Sequence, residues 1–82
     1  MENDDSLDVL TQLGKRIAYL RKEKGMSQLA LALDSNVAKS YLSELEKGKR
    51  NPTVKVLSKI AIALGVTIEE LFRGIVPLEQ LL

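Results

Sequence analysis

Between residues 39 and 51 the chain collects side chains that bind charge and hydrogen-bonding edges. Lys39, Ser40, Ser43, Glu44 and Lys47 share one short stretch, and Lys49-Arg50-Asn51 follow directly after Gly48. An ammonium can reach O6 and N7 of a guanine, and a carboxylate can accept from a cytosine amino group. Ammonium and guanidinium groups in a loop suit phosphate oxygens, which fix register without reading sequence. The requirements of bond-making chemistry are absent. The chain has no His and no Cys, hence neither the commonest general base nor a thiolate. It has no glycine-rich phosphate loop and no nucleophile–base set, so no enzyme is expected. Neither a metal nor a cofactor is expected. Glu2, Asp4, Asp5 and Asp8 could pass for a metal site, but they stand on a terminus expected to fray over residues 1–6.

A frame must hold these side chains on one surface, and the apolar spacing predicts five helices. The first spans about residues 6–24, with Leu10, Leu13, Ile17 and Leu20 as its stripe, Asp5 or Ser6 as cap, and Gly25 as stop. Ser27 caps the second, which runs to about Ser35 with Leu31 and Ala32 inward. Asn36 tolerates the left-handed conformation of a tight turn, with Val37 packing beneath it. The third covers about residues 39–47, with Leu42 and Leu45 inward. Thr53 caps the fourth, whose stripe is Val54, Leu57, Ile60, Ala61 and Leu64. Thr67-Ile68-Glu69-Glu70 is a capping box opening the fifth, with Leu71 and Phe72 inside. One further turn can begin at Pro77. Nothing alternates as a strand does. The predicted fold class is all-α, a compact five-helix domain occupying residues 1–82.

Two short helices joined by a tight turn, the second ending in a basic loop, form a helix-turn-helix. Its second helix is built to enter a DNA major groove. Base contacts are expected from Lys39, Ser40, Ser43 and Glu44, which lie on or beside the face away from Leu42 and Leu45. For Lys39 a phosphate is the equal alternative. Glu44 can accept from cytosine, and near a polyanion it also repels wrong sequences. Lys49, Arg50 and Asn51 form a phosphate clamp that Lys47 can join. Tyr41 is read first as packing between helices and second as a phosphate ligand. Lys15, Arg16, Lys22 and Lys24 are read as solvent-facing, adding long-range attraction.

The formal net charge of +1 conceals a strong asymmetry. Residues 1–8 carry −4, residues 9–60 carry +7, and residues 61–82 carry −2. Polyanion binding follows the local potential, so the basic middle is the relevant quantity. No apolar run approaches the ~18 residues of a membrane span, and no membrane partner is expected. The acidic start is unlike a signal peptide, so a cytoplasmic protein is expected.

A domain of this size buries only ~60% of its unfolded surface, and dimerisation is a common remedy. Ile62, Val66, Leu71, Phe72, Ile75 and Val76 are more apolar surface than the monomer can hide. They are the expected homodimer interface, with residues 74–82 contributing, although ordinary core packing takes part of the set. Such a dimer places two recognition helices ~34–36 Å apart. Leu29 and Leu33 leave a second, smaller apolar patch.

Several residues carry a resemblance to a known family. They are Leu13-Gly14, Ile17, Arg21, Gly25-Met26-Ser27-Gln28, Leu31-Ala32, Tyr41-Leu42-Ser43-Glu44-Leu45-Glu46, Gly48-Lys49, Pro52-Thr53, Leu57, Ile60-Ala61 and Leu64-Gly65-Val66. Over about residues 10–72 this pattern resembles the Xre or Cro/repressor family of helix-turn-helix regulators. The segment Ser40 to Glu46 and the size look closest to controller proteins of restriction–modification systems. The resemblance implies a sequence-specific regulator that binds a double-stranded, (pseudo)palindromic DNA operator as a homodimer. It implies no small-molecule ligand, and an activator of this kind would also touch RNA polymerase. Phage or plasmid repressors, and DNA-binding antitoxins with a toxin-contacting tail, belong to the same family and are the alternative. The resemblance further implies that Gln28 braces a phosphate and the recognition helix together, and that Arg21 pairs with Glu46 as an architectural ion pair. Two positions depart from the pattern. Leu29 and Ala30 stand where acidic residues usually open the second helix. Ala38 stands where Ser or Thr usually caps the third, a loss of ~1 kcal/mol.

Overall fold

In a computed structural model the chain is described over residues 8–81. The elements are α1 (Val9–Glu23), α2 (Gln28–Ser35), α3 (Lys39–Glu46), α4 (Val54–Leu64), α5 (Ile68–Leu71) and a closing 3₁₀ turn, Leu78–Leu81. There is no strand among the described residues.

Side-chain caps set most of the helix starts. Ser27 accepts from the Ala30 amide, Thr53 from Val56, and Thr67 and Glu70 form the expected capping box. α1 differs from expectation. Its N-cap is Asp8, whose carboxylate accepts from the Leu10 amide at 2.8 Å. Asp8 is the last acidic side chain before the apolar stripe, so the helix starts later than the pattern suggested. Asp5 and Ser6 lie outside the described residues. Ala38 makes no side-chain cap, as its chemistry dictates.

Three helix ends close in the same way. The amides of Met26, Val37 and Val66 turn back to the carbonyls of Arg21, Ala32 and Ala61, each at 3.0 Å. Each of those three side chains then packs on the core. A left-handed residue followed by an apolar one is the sequence signal for this ending. It ends the helix and anchors the next segment in one step.

The core joins Leu13 and Ile17 of α1, Leu31 and Ala32 of α2, and Leu42 and Leu45 of α3. Leu57, Ile60, Ala61 and Leu64 of α4 and Leu71 of α5 complete it. Burying a Leu or Ile side chain contributes roughly 1.5–3 kcal/mol. α1 packs on α3, and α2 packs on both α3 and α4, so α3 is held from two sides. Val54 is not part of the stripe. It is 71% exposed, because the first residue of α4 projects beyond the core.

The tail is tied to α1. The Gln12 side chain donates to the Val76 carbonyl at 2.8 Å and accepts from the Val76 amide at 3.0 Å. Arg16 was expected in solvent, but its Nε donates to the Glu70 carbonyl at 2.9 Å, and its guanidinium lies 5.6 Å from the Tyr19 ring centre. Residues 12 and 16 are four apart on α1, so they share a face, and α5 with the tail covers it. Lys24 also departs from a purely solvated reading: its Nζ donates to the Ala63 carbonyl at 3.0 Å.

Candidate nucleic-acid interface

The α2–α3 turn is made by Asn36 at φ 58°. Leu42 and Leu45 are fully buried beneath α3. That leaves Lys39 and Ser40 exposed at the start of the helix, with Ser43 and Glu44 half-buried farther along. Lys47, Lys49, Arg50 and Asn51 are all exposed. The side chains expected to meet DNA therefore form a continuous run along α3 and the loop after it.

Behind this run, the angle of α3 is fixed by one carboxylate. Glu46 receives Arg21 Nε on Oε2 at 2.7 Å, and Arg21 Nη2 on Oε1 at 3.1 Å. Gln28 Nε2 adds a third bond to Oε1 at 2.9 Å. Arg21 Nη1 donates to the Met26 carbonyl at 2.8 Å. The Arg21 and Glu46 side chains are only 10% and 6% exposed. One network thus joins the end of α1, the start of α2 and the end of α3. Fork-to-carboxylate pairing gives such a joint direction as well as energy.

Gly14 brings α1 against the end of α3. A Cβ at residue 14 would lie 2.5 Å from the backbone oxygens of both Leu45 and Glu46. Gly48 serves a similar contact with Thr11, whose Cα would be 2.7 Å from a Cβ there. Gly48 also adopts the left-handed conformation, at φ 78°. Beside this crossing lies an open groove of about 410 Å³, lined by Lys15, Tyr19, Lys22, Gln28, Ser43 and Lys47 among others. It places the exposed α1 lysines next to α3.

Two residues assigned separate roles are joined. Arg50 Nε meets Glu44 Oε1 at 2.7 Å, and the guanidinium lies 5.6 Å from the centre of the Tyr41 ring. Tyr41 is half-buried and packs against the core. Positions 44 and 50 are six apart in sequence, and the path of the chain around Gly48 closes the gap.

The apolar set assigned to a dimer divides. Ile62 is 76% exposed and Phe72 38%, whereas Leu71 is fully buried in the monomer. Leu71 is therefore core and cannot face a partner. Val66 and Ile75 are partly buried against that core, and Val76 is half-buried. Phe72, read as inside, stands at the surface because α5 turns only Leu71 inward.

No group of His, Cys, Asp and Glu among the described residues could hold a metal, and no helix among them is long and apolar enough to cross a membrane. What the surface offers is hydrogen-bonding and cationic groups on a supported helix.

A helix-turn-helix family model (HTH_3) matches residues 17–71. The chain belongs to this helix-turn-helix family, whose members are DNA-binding transcription regulators and not enzymes. It is 45% identical over 65 residues to the uncharacterized HTH-type transcriptional regulator y4dJ of Sinorhizobium fredii, covering 79% of this chain and 84% of that one. It is 39% identical over 69 residues to the control protein C.MunI of a Mycoplasma species, covering 83% of this chain and 93% of the relative. The crystal structure of the restriction-modification controller protein C.AhdI from Aeromonas hydrophila superposes with a TM-score of 0.76. It is 40% identical and covers 77% of this chain and 96% of that one.

Proposed function

We propose that this regulator is the controller of a restriction–modification system. It acts in the cytoplasm as a homodimer on a double-stranded operator with (pseudo)dyad symmetry, with the chain working as a single domain. The observation that carries the reading is the run of Lys39, Ser40, Ser43 and Glu44 along the outer side of α3, flanked by the cationic loop. The similarity to C.MunI and C.AhdI over most of their lengths supports the controller assignment. Ile62 and Phe72, the most exposed of the apolar set, are the proposed dimer contacts, together with the half-buried Ile75 and Val76. Gln28 keeps α2 on Glu46 while its helix start offers amides to a phosphate.

Affinity and specificity separate in this arrangement. A duplex enriched by the protein from a random pool, and a shuffled copy of it, are the two probes. Lys49→Ala should weaken binding to both alike and reduce the salt slope by ~1. Lys39→Ala should cost ~1–3 kcal/mol on the enriched duplex and relax one base position per half-site. Fluorescence anisotropy over a salt series reads both effects. Equal losses on the two duplexes for Lys39→Ala would make Lys39 a phosphate ligand.

A further inference from the structure

The Glu44–Arg50 contact carries an inference that rests on the DNA-binding reading above. We propose that Glu44 and Arg50 act together as one composite reader of a C·G base pair, which makes Arg50 a specificity-determining residue. The two groups are 2.7 Å apart, so they cannot address distant parts of a duplex. If the Glu44 carboxylate meets a base edge, the guanidinium arrives with it.

The contact leaves the right groups over. Only Nε of Arg50 meets only Oε1 of Glu44. An arginine has five N–H donors and a carboxylate two oxygens, so both Nη groups and Oε2 stay available for a third party. The side chains are 52% and 45% exposed, open to one. An acceptor oxygen beside a fork of donors matches what a C·G pair shows in the major groove. Cytosine offers its N4 amino group, and guanine beside it offers O6 and N7. A T·A pair lacks that combination. The pairing also removes an electrostatic objection, since a lone carboxylate would approach the phosphates uncompensated. Tyr41, one turn before Glu44, flanks the guanidinium with its ring, and a cation over an aromatic face is attracted to it. The Arg50 guanidinium is thus pre-positioned from two sides, by the Glu44 carboxylate and by the Tyr41 ring. Lys49 has no such partner on α3 and remains a clamp.

The test uses the full chain and the enriched duplex, with each base pair of the half-site changed in turn. Wild type should lose about tenfold in affinity when one particular C·G pair becomes T·A. Glu44→Gln and Arg50→Ala should each abolish the preference at that same pair. Arg50→Lys should retain binding to the shuffled duplex and the salt slope, yet fail to restore the preference, because it keeps the charge and loses the fork. Both side chains are half exposed, so the variants should melt as wild type does, which circular dichroism checks. Equal losses on enriched and shuffled duplexes for Arg50→Ala, with rescue by Arg50→Lys, would make Arg50 a phosphate clamp and overturn the composite reader alone. A selection that enriches no sequence would overturn the operator reading and the composite reader together.

Discussion

Glu46→Ala alone, or Arg21→Ala alone, is expected to destabilise the domain by about 3–5 kcal/mol, the usual result of stranding one partner of a buried ion pair. Folded proteins hold only about 5–15 kcal/mol in total, so either change removes a large part of the margin. For a domain of this size each kcal/mol lowers the melting temperature by roughly 4–8 °C. The loss is large because the network has no slack. Arg21 has three hydrogen bonds and Glu46 has three, and both side chains are almost fully buried. Removing both charges together, as in Arg21→Met with Glu46→Leu, should cost far less than the two single changes added, because no charge is left stranded. A coupling of about 0.5–3 kcal/mol in the four-variant cycle is the expected size. DNA affinity should also fall in the single variants, although neither side chain faces the candidate contact surface. Additive melting effects would show that the pair is not a unit.

Gly14→Ala is expected to destabilise the protein, against the propensity of its own helix. In an open helix the change would gain about 1 kcal/mol. Here the new Cβ would lie 2.5 Å from two backbone carbonyl oxygens at the end of α3. Backbone cannot rotate away as a long side chain can, so α1 and α3 must separate. Overpacking of this kind costs about 1–3 kcal/mol, occasionally more, and that outweighs the propensity gain. The separation would also shift Glu46 from Arg21, so the two effects reinforce each other. Urea unfolding should show a lower midpoint at unchanged slope. A midpoint equal to or above that of wild type would show that the helices do not approach so closely.

Local signals placed the helices and put most of the candidate contact residues on one exposed run. Ser27, Thr53 and the Thr67–Glu70 box are capping chemistry within a few residues, and they stand where expected. The Arg21–Glu46 pair was legible only because whole-pattern resemblance linked positions 25 apart. Contacts that cross the chain left no such trace. Gln12 and Arg16 look like solvent-facing polar residues on α1 until the tail and α5 are laid over them. Glu44 and Arg50 were assigned to different targets, since the loop's course past Gly48 is not encoded by spacing. Leu71 and Phe72 are adjacent and both apolar, and only the rotation of a four-residue helix decides which one is core. Val54 has the right spacing for the α4 stripe but sits at its end, where spacing no longer implies cover.

A pair of α3 helices that reads a DNA site with dyad symmetry must leave a footprint with the same symmetry. The most direct measurement is hydroxyl-radical footprinting of the protein on a duplex it has enriched from a random pool. The predicted result is an inverted repeat with two protected blocks whose centres lie ~34–36 Å apart, about one turn of the double helix. Protection without an enriched sequence, or a single asymmetric block at saturating protein, would contradict it.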